Sequence, residues 1–160
     1  MKQRIESKEE EKLNILTHGI GLFLSFIGLY LLIDKSINYS QKIYLISSCI
    51  YGSSLIIMYG CSTMYHYFFH SKFKKQLRIV DHISIYILIA GSYTPGLLLK
   101  LQESLGIYLL YVVWGMVIFG AIMKILFLDR FEKFSLQFYI FMGWLIVVDY
   151  KALLSIIEPI

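Results

Sequence analysis

Apolar residues along this chain fall in long, nearly unbroken runs separated by short polar connections. The runs cover about Leu13–Ile33, Ile43–Phe69, Ile79–Leu99, Leu105–Leu128 and Phe134–Ile157. The connections between them read DKSINYSQK, HSKFKKQLR, KLQES and LDRFEK. Each run holds roughly 20 residues or more, the length that crosses ~30 Å of hydrocarbon. Inside a bilayer every backbone polar group must be satisfied within the protein, which restricts spans to helices and closed barrels. Barrel strands alternate in polarity and are about half as long. The pattern therefore predicts an all-α fold: a polytopic transmembrane helical bundle over residues 13–160, with five spans, preceded at residues 1–12 by a polar, solvated tail with room for a helical turn or two.

Thr94-Pro95-Gly96 lies in the second half of the third run. Proline lacks a backbone donor, so a kink or helix end is predicted there. Glycines scattered through the runs suit close approach of neighbouring helices. The tyrosines, with Trp114 and Trp144, suit packing and interfacial anchoring.

Composition agrees with the pattern. The chain has 160 residues, 58% of them hydrophobic, too apolar for an ordinary soluble domain. It leaves no room for a second domain. No alternation of basic and aromatic residues suggests a nucleic-acid groove, and a nucleic-acid partner is not expected. The two cysteines, Cys49 and Cys61, fall in one run and read as small apolar fillers. The mixed-charge start MKQRIESKEEEK is not the start of a cleavable signal peptide.

Charge placement gives orientation. Lys2, Arg4, Lys8 and Lys12 precede the first run, Lys72, Lys74, Lys75 and Arg78 fill the second connection, and Lys124, Arg130 and Lys133 surround the fourth. The other side holds Lys35, Lys42, Lys100 and Lys151. The positive-inside rule then predicts a cytoplasmic N-terminus.

The exceptions to the apolar pattern carry the chemistry. Asn14, Thr17 and His18 open the first run, Ser62, His66 and His70 recur near the end of the second, and Asp81 and His82 open the third. A central Asp in a bilayer costs roughly 2.5–3.5 kcal/mol on insertion scales, so such groups are expected to face one another, water or an ion. At 1.5 Å per residue, His18 lies about 9 Å past Lys12, His66 about 9 Å before Lys72, and Asp81 about 4.5 Å past Arg78. The three helices therefore deliver polar groups to one layer near the cytoplasmic boundary.

Ser62, His66 and His70, four residues apart, share a helix face. Neutral histidine is the commonest metal ligand, and catalytic zinc takes three protein ligands and an open position for water. A carboxylate at matching depth, here Asp81, can orient that water or take its proton. Structural readings stand beside these. His66 fits hydrogen-bonded packing and His70 an interfacial position. His82 fits a bond to a neighbouring helix or a phosphate. His18 with Asn14 fits an inter-helix hydrogen-bonding lock, and Asp81 fits an ion pair with Arg78 or Lys75.

The segments EEEKLNILTHGIG, STMYHYF and RIVDHISIYILIAGSYTP, with Met142-Gly143-Trp144, resemble the bacterial hemolysin III proteins. That group belongs to the PAQR (progestin and adipoQ receptor) family and to a wider superfamily that includes alkaline ceramidases. The resemblance spans nearly the whole chain and implies a seven-helix membrane fold with a zinc site near the cytoplasmic side. It implies His66 as a zinc ligand, Ser62 as its supporting partner, and Asp81 as the group that holds or activates the zinc-bound water. The family's histidine pair on a seventh helix has no counterpart, because no H-x-x-x-H follows the fifth run and the sequence stops at Glu158-Pro159-Ile160. This departure is read as a fragment or truncated gene product, or as an incomplete zinc site.

Three functions follow as expectations. The first is a zinc-dependent membrane hydrolase-like protein acting on a lipid amide or ester, with Asp81 and Ser62 as candidate catalytic residues. The second is a non-enzymatic membrane protein, either a cytolysin or pore former or a regulator of membrane homeostasis. The third is a non-functional remnant. Membrane lipids are the expected partners and a bacterial cell membrane the expected location.

Overall fold

The computed structural model describes residues 7–101, 104–127, 132–151 and 154. Its elements are α1 (Lys8–Ile37), α2 (Lys42–Tyr67), α3 (Lys74–Leu99), α4 (Gly106–Phe127) and α5 (Glu132–Trp144), the last running into a 3₁₀ helix over Leu145–Asp149. All regular structure among the described residues is helical. Four helices, α1 to α4, are long and apolar enough to cross a membrane.

α1 starts inside the segment read as a solvated tail. Ser7 caps it in a reciprocal box: the Glu10 amide donates to Ser7 Oγ at 3.2 Å, and the Ser7 amide donates to Glu10 Oε2 at 2.7 Å. Glu9, Glu10 and Glu11 fill the first turn, where carboxylates oppose the positive end of the helix dipole. The cap fixes the helical phase, and that phase turns Glu11 toward α2.

The helices pack in series. α1 lies on α2, α2 on α3, and α3 on α4 and α5, with no backbone-level packing of α1 on α3, α4 or α5 among the described residues. Small residues set the closest approaches. A Cβ on Gly21 would meet the Tyr59 ring at 2.5 Å, one on Gly52 would meet Leu29 Cδ1 at 2.5 Å, and one on Gly91 would collide with Ser54. The α3–α4–α5 side holds the apolar core, with Tyr86, Ala90, Leu97, Val113 and Met142 buried. Large apolar residues such as Phe23, Tyr30, Tyr111 and Phe141 face outward, as lipid contact requires.

Two expectations change. α3 does not end at Thr94–Gly96. It continues past Pro95 to Leu99, with the Thr94 hydroxyl donating to the Ala90 carbonyl at 2.9 Å. Trp114 Nε1 donates to Thr94 Oγ1 at 3.2 Å, pinning α4 to this turn.

The fifth run, read as a span over Phe134–Ile157, is not one continuous α-helix. α5 has 13 residues, about 20 Å at 1.5 Å per residue, short of the hydrocarbon thickness. Tyr93 of α3 causes the break. Its single hydroxyl proton is shared between the carbonyls of Met142 (2.9 Å) and Gly143 (2.6 Å), and its oxygen accepts from the Ile146 amide (3.2 Å). In an α-helix the Ile146 amide would bond the Met142 carbonyl directly. The tyrosine enters that rung, and the chain tightens into the 3₁₀ helix. Asp149 at its end accepts from Ser104 Oγ (2.7 Å) and the Leu105 amide (3.1 Å), capping the start of α4. The end of the fifth run beyond residue 154 lies outside the described residues.

We expect Gly52→Ala to lower stability by about 1–3 kcal/mol, because the new methyl overpacks Leu29. Gly28→Ala, where a Cβ meets nothing within 4 Å, should be neutral or slightly stabilising. Thermal unfolding of both variants in detergent micelles checks this. Equal behaviour would refute the close α1–α2 approach.

Candidate functional site

One end of the α1–α2–α3 interface is polar. Glu11 of α1, 2% exposed, reaches His66 near the end of α2, 7% exposed. The contact is 2.7 Å from Glu11 Oε2 to His66 Nδ1. The second oxygen, Oε1, accepts from Lys74 Nζ at the start of α3, at 2.6 Å. Lys74 also lies over the Tyr65 ring, 5.3 Å from its centroid. One carboxylate thus joins three helices. Taking a carboxylate out of water costs several kcal/mol unless its oxygens are satisfied, and both are satisfied here.

His18 lies one layer further in. Its ring stacks on His66 with centroids 5.5 Å apart and planes 9° apart, and it tilts against Tyr59. Its Nδ1 is buried and lacks a hydrogen-bond partner among the described residues. The expected Asn14–His18 hydrogen-bonding lock is therefore, at His18, an aromatic stack on the next helix. Asp81, half-buried on α3, is within electrostatic reach of His18 and of Cys61. Ser62 is buried one turn before His66. His70 lies past the end of α2, exposed, with its ring on Phe69 at 4.0 Å.

The structure thus brings His66, His18 and the Asp81 carboxylate into one neighbourhood, leaves Ser62 buried on the His66 face of α2, and keeps His70 out. It adds Glu11, which the tail reading had placed in solvent. Its signal was present: Ser7 and Glu10 form a capping box, which starts the helix early, and Glu11, Asn14 and His18 then follow at helical spacing on one stripe.

A second polar group lies between α3, α4 and α5. Lys124, read as part of an interfacial basic cluster, is 1% exposed and donates to Ser135 Oγ at 3.2 Å. Lys124 and Arg78 both act electrostatically on His82. The Tyr139 hydroxyl donates to the His82 carbonyl at 3.0 Å. His82 thus faces away from the Glu11 network, as its offset of about 100° from Asp81 requires.

Zinc, the metal implied by the resemblance, finds an incomplete donor set. No three His, Cys, Asp or Glu side chains among the described residues come together to hold a metal ion. His66 commits Nδ1 to Glu11, which leaves Nε2 as the nitrogen that would serve a metal. A carboxylate on the far ring nitrogen is the usual support of a ligating histidine. The described residues therefore amount to one arm of such a site and do not fit zinc by themselves.

Long apolar helices with a polar layer between them define a multi-span helical membrane protein. The haemolysin-III related family model matches residues 6–160, and the chain belongs to that family. It is 43% identical over 145 residues to a hemolysin-3 homolog of Bacillus subtilis, covering 91% of this chain and 68% of the relative. It is likewise 43% identical to hemolysin-3 of Bacillus cereus, covering 91% of this chain and 66% of that protein. Human monocyte to macrophage differentiation factor is 30% identical over 142 residues, covering 84% of this chain and 58% of that protein. The chain thus spans about two thirds of the length of the hemolysin-3 relatives it matches. No solved structure matches it.

Removing Lys74 leaves a buried carboxylate with His66 as its remaining described partner. Lys74 is 34% exposed, so we expect Lys74→Met to cost about 2–3 kcal/mol, below the 3–5 kcal/mol of a fully buried pair. Unfolding in mixed detergent micelles measures it. A loss under about 0.5 kcal/mol, the scale of an exposed pair, would show that Glu11 is solvated.

Proposed function

We propose that the polar layer is the working part of a hydrolase-like membrane protein acting on the amide or ester bond of a membrane lipid, with the layer near the cytoplasmic face. The burial of His66 against Glu11 carries this reading, because the membrane interior tolerates such a pair only where it is held for a purpose. Asp81 takes the proton from an attacking water, His66 is the residue that would ligate zinc, and Ser62 supports the His66 face of α2. The remaining zinc ligands would come from outside the described residues. The hemolysin-3 relatives support the class of protein.

Metal analysis of purified protein tests the proposal. We expect zinc in the wild type and at least a tenfold loss in His66→Ala. Equal zinc in both, or none in either, removes the zinc-dependent hydrolase.

One observation favours a second reading, a non-enzymatic membrane protein: three metal-binding side chains do not converge among the described residues. A pore-forming version predicts dye release from liposomes that persists in Asp81→Ala. The hydrolase reading predicts no release by either protein, since the described buried charged and histidine side chains gather toward the ends of helices.

A further inference from the structure

Glu11 has a geometry that goes beyond anchoring a helix. Its two oxygens are divided between different donors, Lys74 Nζ at 2.6 Å and His66 Nδ1 at 2.7 Å. An ammonium group has donors and no acceptor, so the Lys74 contact is oriented whatever else happens. A carboxylate is acceptor-only, so the His66 contact requires a proton on Nδ1. Glu11 and Lys74 already balance each other in charge, so His66 can make this contact as an uncharged ring. In an uncharged ring with Nδ1–H, the lone pair lies on Nε2. The His18 ring lies parallel to the His66 ring, with centroids 5.5 Å apart.

We propose that Glu11, oriented by Lys74, is the positioning residue of the polar layer: it holds His66 as the Nδ1–H tautomer, so that Nε2 is the basic nitrogen the site uses. This rests on the reading of His66 as the working histidine. Free neutral imidazole side chains favour the opposite tautomer, with the proton on Nε2, so the inference has a spectroscopic signature that a merely structural contact would lack.

The test is nitrogen NMR of the chain with ¹⁵N-labelled histidine, in detergent, after chelator treatment, at about pH 8, above the ordinary histidine range. The chain has four histidines, and substituting His18, His70 and His82 by Asn one at a time identifies the His66 signals by elimination. The wild type is expected to show His66 protonated on Nδ1 alone. Glu11→Gln keeps the shape but leaves one oxygen, which the Lys74 ammonium takes, so the amide NH₂ faces His66. That variant is expected to invert the tautomer, moving the proton to Nε2.

A wild-type His66 with its proton on Nε2, or doubly protonated, overturns the proposal without any variant. So does Glu11→Gln with Nδ1 still protonated. Zinc content measured on the same preparations before chelation separates the two claims. No zinc with the tautomer as expected removes the hydrolase and leaves the positioning role. Zinc present with the wrong tautomer does the reverse.

Discussion

A carboxylate buried at one end of a helix bundle must have both oxygens satisfied, and Glu11 meets that demand by drawing on two other helices. The cost of leaving such a group unpaired is several kcal/mol, comparable with the whole stability of a small domain. The constraint therefore dictates geometry. α1 and α3 do not pack on each other among the described residues, yet Glu11 and Lys74 join them across the end of α2. His66 then sits where the carboxylate places it, and His18 stacks where His66 leaves room. Each position in the layer follows from the one before.

The far end of α3 works on the same principle with neutral groups. Tyr93 takes over one rung of the fifth helix, and Asp149 caps the fourth from the turn that results. Between these ends, the interfaces carry no ionisable pair among those described and depend on small residues, serines included, at a few close approaches. α3 is consequently the hub: it carries Lys74, Asp81, the His82 group, Tyr93 and Thr94 on different faces.

Much of this was legible in the chain. The apolar runs located α1 to α4 within a few residues, because twenty consecutive apolar side chains leave few alternatives to a helix. The depth argument put the polar groups of three helices in one layer, and His66 and His18 do meet there. What escaped was set by tertiary contact. Glu11 looked like one of several charges in a tail, since its burial depends on a lysine 63 positions away. Lys124 looked interfacial, and burial beside Ser135 reversed that. Pro95 was expected to kink or end α3, and the helix does not end there, because a helix flanked by neighbours absorbs a missing bond. The fifth run looked continuous, because nothing local announces that a tyrosine from another helix will enter its ladder.

The central claim is that Glu11 and His66 act as a coupled pair across the α1–α2 interface. A double-mutant cycle with Glu11→Gln and His66→Asn, followed by unfolding in mixed micelles, measures that coupling most directly. The double variant is expected to depart from the sum of the single losses by about 0.5–3 kcal/mol, the range for residues in one hydrogen-bonded network. Losses that add within about 0.3 kcal/mol would mean that the two side chains do not interact, and the polar layer as described would not exist.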